Sequence, residues 1–510
     1  MVEINRVLVA NRGECARRIA DTVTQLGKTP IAVYSEDDKN NLHVKEAREV
    51  HEIRNYSDIG SIIDVARESG ADAIHPGWGF VSEDPRFPKA CDKAGIIFIG
   101  PSEMTMRQAG NKETAKKTAR NLGIPVIESS SGSSPNIRSW AINLGLSDKE
   151  DSVPIMIKAA RAGGGNGNRL VSKLSDLDPV LDKLERTFSG NGKDISFFAE
   201  RFISDAHHVE VQLLGDEYGG LVHFGTRDCS IQLRYQKVIE EAPAPFLSKA
   251  QEKELYKYAL RFGEYIGYTN AGTVEFLVDR KGNIFFLEFN PRLQVEHRVT
   301  ELITGRDLVK HQIEIAQGGR VPAQDEIRFS GSAIEARVNA QGFNRGTLLP
   351  AGGVVERVIF PKGEDVIVDH NLYNGDKINL NYDPTQAKVA VKGKNREDAV
   401  GILQKALKSF SIEGVSTNID FVLRVLSSEE FAQGQYSTTF FEEMLRELAE
   451  KNRGQREDGV AAATEVAAAL ALQERQRGSE VVVFRENSSL WRQAGLFDQV
   501  ESRSNFRRQR

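Results

Sequence analysis

The stretch Glu288-Phe289-Asn290-Pro291-Arg292-Leu293-Gln294-Val295-Glu296 alternates polar and apolar residues along its length. In an extended segment side chains alternate between faces, so Glu288, Asn290, Arg292, Gln294 and Glu296 would line one side. That side offers a carboxylate, an amide, a guanidinium, an amide and a second carboxylate. A row with both charge signs and two amides suits an anionic, metal-bound substrate better than plain solvent. Asn290-Pro291 interrupts regular pairing, so the alternation is most secure before it.

Working outward, Ala271 to Val278 is rich in β-formers, Arg280-Lys281-Gly282-Asn283 makes a tight turn, and Ile284 to Glu288 returns. With the turn centred on Lys281-Gly282, Arg280 faces Asn283, and counting outward sets Glu275 opposite Glu288. Two carboxylates directly opposed on one sheet face repel. A divalent cation turns that cost into a gain, and hard cations such as Mg²⁺ prefer oxygen ligands. The same pattern also fits a surface hairpin with an acidic outer face.

The remainder of the chain limits the setting. Its 510 residues, 40% hydrophobic and 27% charged, suit a multi-lobed globular enzyme or two to four domains. A net charge of -5 gives no overall pull towards nucleic acid or an anionic membrane. No apolar run approaches the ~18 residues of a membrane span. Cys15, Cys91 and Cys229 are odd in number and far apart, which suits a reducing compartment without a disulfide framework. The first residues enter a strand-like segment without a targeting pattern, so a cytoplasmic location is expected and the mitochondrial matrix stays open.

Residues 1–111 alternate apolar strands (Arg6 to Ala10, Thr29 to Tyr34, Gly95 to Gly100) with amphipathic helices, which predicts a parallel, helix-covered sheet. Asn11-Arg12-Gly13-Glu14 opens a helix after the first strand and is equally an anion site or a polar turn. Within 112–330 a smaller strand-rich lobe, about 132–203, carries Lys158 at a strand end and then Gly163, Gly164 and Gly165. Glycines let backbone N–H groups approach a phosphate and Lys adds a point charge, although a flexible hairpin loop fits as well. Residues 331–447 read as β-rich with a closing helix. Beyond them, 448–510 changes to an alanine-rich helix (Val460 to Leu472) and an arginine-bearing tail.

These stretches together resemble the biotin carboxylase component of biotin-dependent carboxylases, an ATP-grasp enzyme, from residue 4 to about 447. The carriers are Val9 to Glu14, His75-Pro76-Gly77-Trp78-Gly79-Phe80, Lys158 with its glycine loop, His208 to Gln212, Arg227-Asp228-Cys229-Ser230-Ile231-Gln232, Glu288 to His297, and Gly414 to Asn418. The resemblance implies an α/β (α+β) protein with an N-terminal parallel α/β domain, an ATP-grasp domain with a mobile lobe, and a β-rich C-terminal domain. It implies ATP, Mg²⁺ or Mn²⁺ and bicarbonate, with biotin carboxylated through carboxyphosphate on a carrier.

By the same resemblance Glu275, Glu288 and Asn290 hold metal. Lys112, Lys158, Gly163, Gly164, Gly165, Glu200, His208, Gln232 and Tyr235 hold the nucleotide. Arg292, Gln294 and Val295 fix bicarbonate, Glu296 is the base, Lys237 steadies developing charge, and Arg357 stabilises the enolate-like form of biotin. The family's Met-Lys-Met carrier signature is absent, so carrier and carboxyltransferase are expected on separate chains or on a lost part of a longer one. A homodimer or larger complex is expected, with neither nucleic acid nor membrane. Departures from the family pattern fall at Asn166, Asn168, Arg201, Leu233, Tyr235, Arg298, Gln341, Thr385 and Gln386. They leave two alternatives: a ligase that carboxylates another acceptor, and a degenerate homologue that acts as a scaffold.

Overall fold

A computed structural model describes residues 2–159, 168–188, 197–379 and 381–451. The glycine loop with Gly163, Gly164, Gly165 and Asn166, and the segment from Val460 onward, lie outside the described residues. The chain divides into two units, Met1–Glu447 and Leu448–Arg510, and everything below concerns the first.

The N-terminal strands Arg6–Val9, Thr29–Tyr34, Val50–Glu52, Ala73–His75 and Ile97–Phe98 form the expected parallel sheet, with the first strand at its centre. Val7, Leu8 and Val9 are buried because helices cover both faces, as a parallel sheet requires. Asn11 does not wait for an anion. Its amide donates to the carbonyls of Pro76 and Trp78, while Arg12 pairs with Asp38 and the Gly13 N–H meets His43. The structural alternative therefore holds at this helix start. Gly77 (φ +63°) has a physical reason in the same place, since a Cβ there would lie 2.4 Å from Cys15 Sγ and 2.8 Å from Asn11 Nδ2.

The scaffold of the molecule is an eight-stranded antiparallel sheet. Its spatial order is Ile284–Asn290, Asn270–Val278, His207–Gly215, Leu221–Leu233, Gln236–Ala242, Ser332–Asn339, Thr385–Gly393 and Val366–His370. The strand Ser332–Asn339 pairs directly with Gln236–Ala242, so residue 331 separates two stretches that share one continuous sheet. A four-stranded lobe (Ser129–Gly132, Phe197–Arg201, Ile155–Ala159, Asn168–Val171) stands beside it and has its own core around Ile157, Leu181 and Phe197.

The decisive hairpin reaches its expected register by an unexpected route. Its loop runs from Asp279 to Asn283, with Asp279 and Asn283 hydrogen-bonded, and Val278 pairs with Ile284 rather than Phe285. A bulge between Phe276 and Glu275 absorbs the extra residue, Leu287, and restores Glu275 opposite Glu288. Behind this face Phe276, Phe286 and Phe289 pack on Phe262 of the helix Lys249–Tyr265, whose start is closed by a Ser248–Gln251 capping box.

Candidate active site

A cavity of about 430 Å³ opens on the polar face of this sheet, between the hairpin, the lobe and the C-terminal strands. Lys112, Lys158, Glu200, His208, Gln232, Tyr235, Lys237, Glu275, Glu288, Asn290, Arg292, Gln294, Val295 and Glu296 all line it. They come from seven stretches of the chain, so the fold rather than the sequence order assembles them.

Charge is balanced locally. Glu275 accepts from His208 (2.9 Å), Lys237 (2.9 Å), Asn290 (2.8 Å) and Gln294 (3.1 Å). Burial opposes its charge, yet Lys237 and His208 outweigh burial and hold the carboxyl well below the usual range. Glu288 pairs with Lys112 at 2.8 Å, an ammonium presented at the first turn of the helix Lys112–Asn121. Lys237 stands among three carboxylates: Glu210 (2.7 Å), Glu275 (2.9 Å) and Glu296 (2.5 Å). Two groups of possible metal-binding side chains among the described residues, His208-Glu210-Glu275 and Glu210-Cys229-Glu296, both include partners of that ammonium.

Two lysines share one buried carboxylate. Lys158 meets Glu200 at 2.5 Å, and Lys116, one helical turn after Lys112, meets the other oxygen. Burial and then the charge of Lys112 lower Lys158 to about 7. Burial and then Lys158 lower Lys116 well below its ordinary value. Clustered ammoniums that repel one another in the free protein are relieved when a polyphosphate enters.

At the far end of the row Glu296 is fully buried. It is bonded to Lys237 and, at 2.9 Å, to Arg337, whose Nε meets Glu240 at 2.6 Å. Burial disfavours its charge, but these cations hold it ionised, well below the usual carboxylate range. Arg292 donates to Gln294 at 2.9 Å and pairs with Glu83 at 2.5 Å, leaving its planar fork beside the row.

Arg357 is corrected. It lies exposed on the short strand Arg357–Ile359, paired in register with Glu413, and does not line the cavity. The guanidinium at that end of the site belongs to Arg337. Its signal was present in the sequence: Glu335-Ala336-Arg337-Val338-Asn339 repeats the polar alternation of the 288–296 row. Glu83, Glu210 and Lys116 carry no local sequence signal of their own, because each meets the site's charges only through partners distant in sequence, Arg292, Lys237 and Glu200.

A second cavity, about 970 Å³, adjoins the first and shares Tyr235, Val295, Arg337, Asp383 and Thr385 with it. Trp78, Phe80 and Tyr382 give it aromatic walls. Thr385 and Gln341 add polar lining, and the Thr385 hydroxyl donates at 2.9 Å to Oδ1 of Asn339, which lines the first cavity. Tyr235, held at φ +65° in the two-residue turn with Arg234, stands between the two cavities.

A sheet with a small lobe beside it, lysines on both, and opposed carboxylates between defines an ATP-grasp enzyme. The comparisons make this specific. Residues 3–106 match the biotin carboxylase N-terminal domain, 111–324 the carbamoyl-phosphate synthase L chain ATP-binding domain, and 335–443 the biotin carboxylase C-terminal domain. The chain is 40% identical to a biotin carboxylase of Halalkalibacterium halodurans, over 88% of this chain and 99% of that one. A crystal structure of biotin carboxylase from Campylobacter jejuni superposes with a TM-score of 0.80 at 36% identity, covering 86% and 98% of the two chains. The biotin carboxylase domain of a Hydrogenobacter thermophilus 2-oxoglutarate carboxylase, solved with MgADP, ADP and bicarbonate, gives 0.81 at 36% identity, covering 87% and 98%. The chain belongs to the biotin carboxylase family. It spans 63% of the rat methylcrotonoyl-CoA carboxylase subunit alpha and 38% of pyruvate carboxylase 1 of Caenorhabditis elegans, longer relatives that it matches at 39% and 41% identity.

Proposed function

We propose that this protein carboxylates biotin on a carrier, using ATP and bicarbonate. The observation that carries the reading is the unbroken row from Glu288 to Glu296, facing Glu275, Lys237 and Arg337 in one cavity. Glu275, Glu288 and Asn290 fit a magnesium or manganese ion: two carboxylates are set opposite each other, Glu275 paired with Lys237 and Glu288 with Lys112. Such an ion neutralises the polyphosphate and screens the approach of a second anion.

The chain's own residues supply the remaining parts. Lys112, Lys158 and His208 hold the phosphates, while Glu200, Gln232 and Tyr235 face the nucleoside. The loop with Gly163, Gly164 and Gly165 is assigned to the phosphates on family likeness. Arg292, Gln294 and Val295 fix bicarbonate beside Glu296. Glu296 removes the bicarbonate proton as an oxygen attacks the γ-phosphorus, and the bond to ADP breaks. The resulting carboxyphosphate releases CO₂ and phosphate, the released phosphate takes the proton from N1 of biotin, and N1 bonds to the CO₂ carbon. Lys237 offsets charge on the transferring groups, and Arg337 takes the enolate-stabilising role first expected of Arg357.

Bicarbonate- and biotin-dependent ATP cleavage by the purified chain tests the reading. Glu296→Gln is expected to lower turnover by roughly 10²- to 10⁴-fold while ATP binding persists; unchanged turnover would remove Glu296 as the base. A second reading, an acceptor other than biotin, is favoured by the polar side chains of Thr385 and Gln341 in the second cavity. ATP cleavage that needs bicarbonate but ignores biotin would select it. The implied partners are a biotinyl carrier, a carboxyltransferase and a second copy of this chain, in the cytoplasm.

A further inference from the structure

Lys388 lies at the centre of the strand Thr385–Gly393 and is 1% exposed. Its ammonium donates to the main-chain carbonyl of Val295 at 2.7 Å. Its other neighbours are beyond hydrogen-bond reach: Asp369 at 3.6 Å, Glu335 at 3.9 Å, and the Trp78 ring, centred 5.0 Å away. In register it stands directly opposite Arg337 on the adjacent strand. Two cations facing each other across a sheet destabilise it unless something uses both.

What uses them is one dipeptide. Arg337 grips the side chain of Glu296 at 2.9 Å, and Lys388 grips the backbone of Val295 immediately before it. Val295 and Glu296 line the cavity beside Gln294 and Arg292, in a stretch that follows the last sheet-paired residue of the hairpin, Asn290. Without ladder partners, the backbone of residues 294–296 is held in part from behind, and the Lys388 bond supplies one such hold. Asp369, itself bonded to Arg298 at 2.7 and 2.8 Å, provides the counter-charge that lets the ammonium stay buried.

We propose that Lys388 is a positioning residue for the anion clamp: by fixing the Val295 carbonyl it sets the orientation of the Gln294-Val295-Glu296 backbone toward bicarbonate. This deepens the function proposed above and rests on it. Because the contact is remote from the lysines of the nucleotide end, its loss should separate the two substrates.

The experiment is steady-state ATP cleavage by the full chain, with bicarbonate and ATP varied in turn. K388M is expected to raise KM for bicarbonate at least tenfold while KM for ATP changes less than twofold. D369N, which removes the counter-charge but leaves the Val295 bond, is expected to lower the melting temperature without that selective change. Where K388M does not fold, K388R carries the test, since it keeps the charge but alters the reach of the donor; a rise of threefold or more in bicarbonate KM at an unchanged melting temperature is expected. An unchanged bicarbonate KM in a folded variant, or equal shifts for both substrates, overturns the assignment. Wild-type protein that cleaves ATP without needing bicarbonate overturns the function itself, so the two failures are distinguishable.

Discussion

Arg337 and Arg357 illustrate how little a residue's immediate neighbours reveal. Arg357 directly follows Glu356 and Arg337 stands two residues after Glu335, both in strand-like stretches, but only Arg337 is enclosed, between Glu240 and Glu296. Arg337→Met is expected to lower kcat by roughly 10²- to 10³-fold, as loss of a charge-stabilising donor does. Arg357→Met should change it by no more than about twofold, as exposed substitutions do. Measuring kcat for the pair checks the correction, and equal losses would reverse it. Lys158 gives a second prediction. Lowered to about 7 in the free protein, it is largely neutral at pH 8, whereas a bound triphosphate favours its ammonium. ATP binding at pH 8 should therefore take up a proton, and less of one as pH falls below 7. Calorimetry in buffers of different ionisation enthalpy reads this directly, and Lys158→Met should reduce the uptake, leaving the share of Lys116, which burial also lowers.

At the scale of elements, the hairpin was legible because strand periodicity and turn residues are local signals. Its loop was not. The Asp279 carboxylate accepts the Lys281 and Asn283 N–H groups, favouring a five-residue loop over the expected tight turn. The bulge at Leu287 then corrected the register, and only that brought Glu275 and Glu288 together. Gly77 shows another element-level constraint, since its positive φ and the nearby Cys15 leave no room for a side chain. Gly77→Ala is expected to destabilise the protein by about 1–3 kcal/mol through backbone strain and overpacking, measured as a shift in denaturant midpoint. A midpoint equal to wild type would show that the turn relaxes.

Across the whole molecule, buried ion pairs tie the N-terminal and C-terminal parts to the central sheet. Arg18 joins the first helix to Glu301 at 2.8 Å and Asp307 at 3.1 Å, and Arg298 joins the helix His297–Thr304 to Asp369 of the edge strand. Burial opposes the charge of Asp369, but its bonds to Arg298 and the nearby Lys388 hold its carboxyl below the usual range. A depressed carboxylate pKa contributes stability that is present above the unfolded value and is lost as pH falls through the folded one. The wild type should therefore lose stability steeply below about pH 4. Asp369→Asn should flatten that acid limb in urea unfolding followed against pH. A limb as steep as wild type would place the acid sensitivity elsewhere.

The amino-acid order alone determined the parallel N-terminal sheet and the polar row, because strand periodicity and charge alternation act over a few residues, whereas the pairing of Glu275 with Glu288 also needed the bulge at Leu287. It also carried the family motifs from residue 4 to about 447. Only the tertiary structure decided that Arg337 rather than Arg357 closes the site, that Lys116 shares Glu200 with Lys158, and that Lys388 supports Val295. Those contacts join residues tens to hundreds of positions apart, across strands whose register depends on a bulge and on packing. The row from Glu288 to Glu296 names the chemistry, and the sheet behind it decides which charges are near enough to take part.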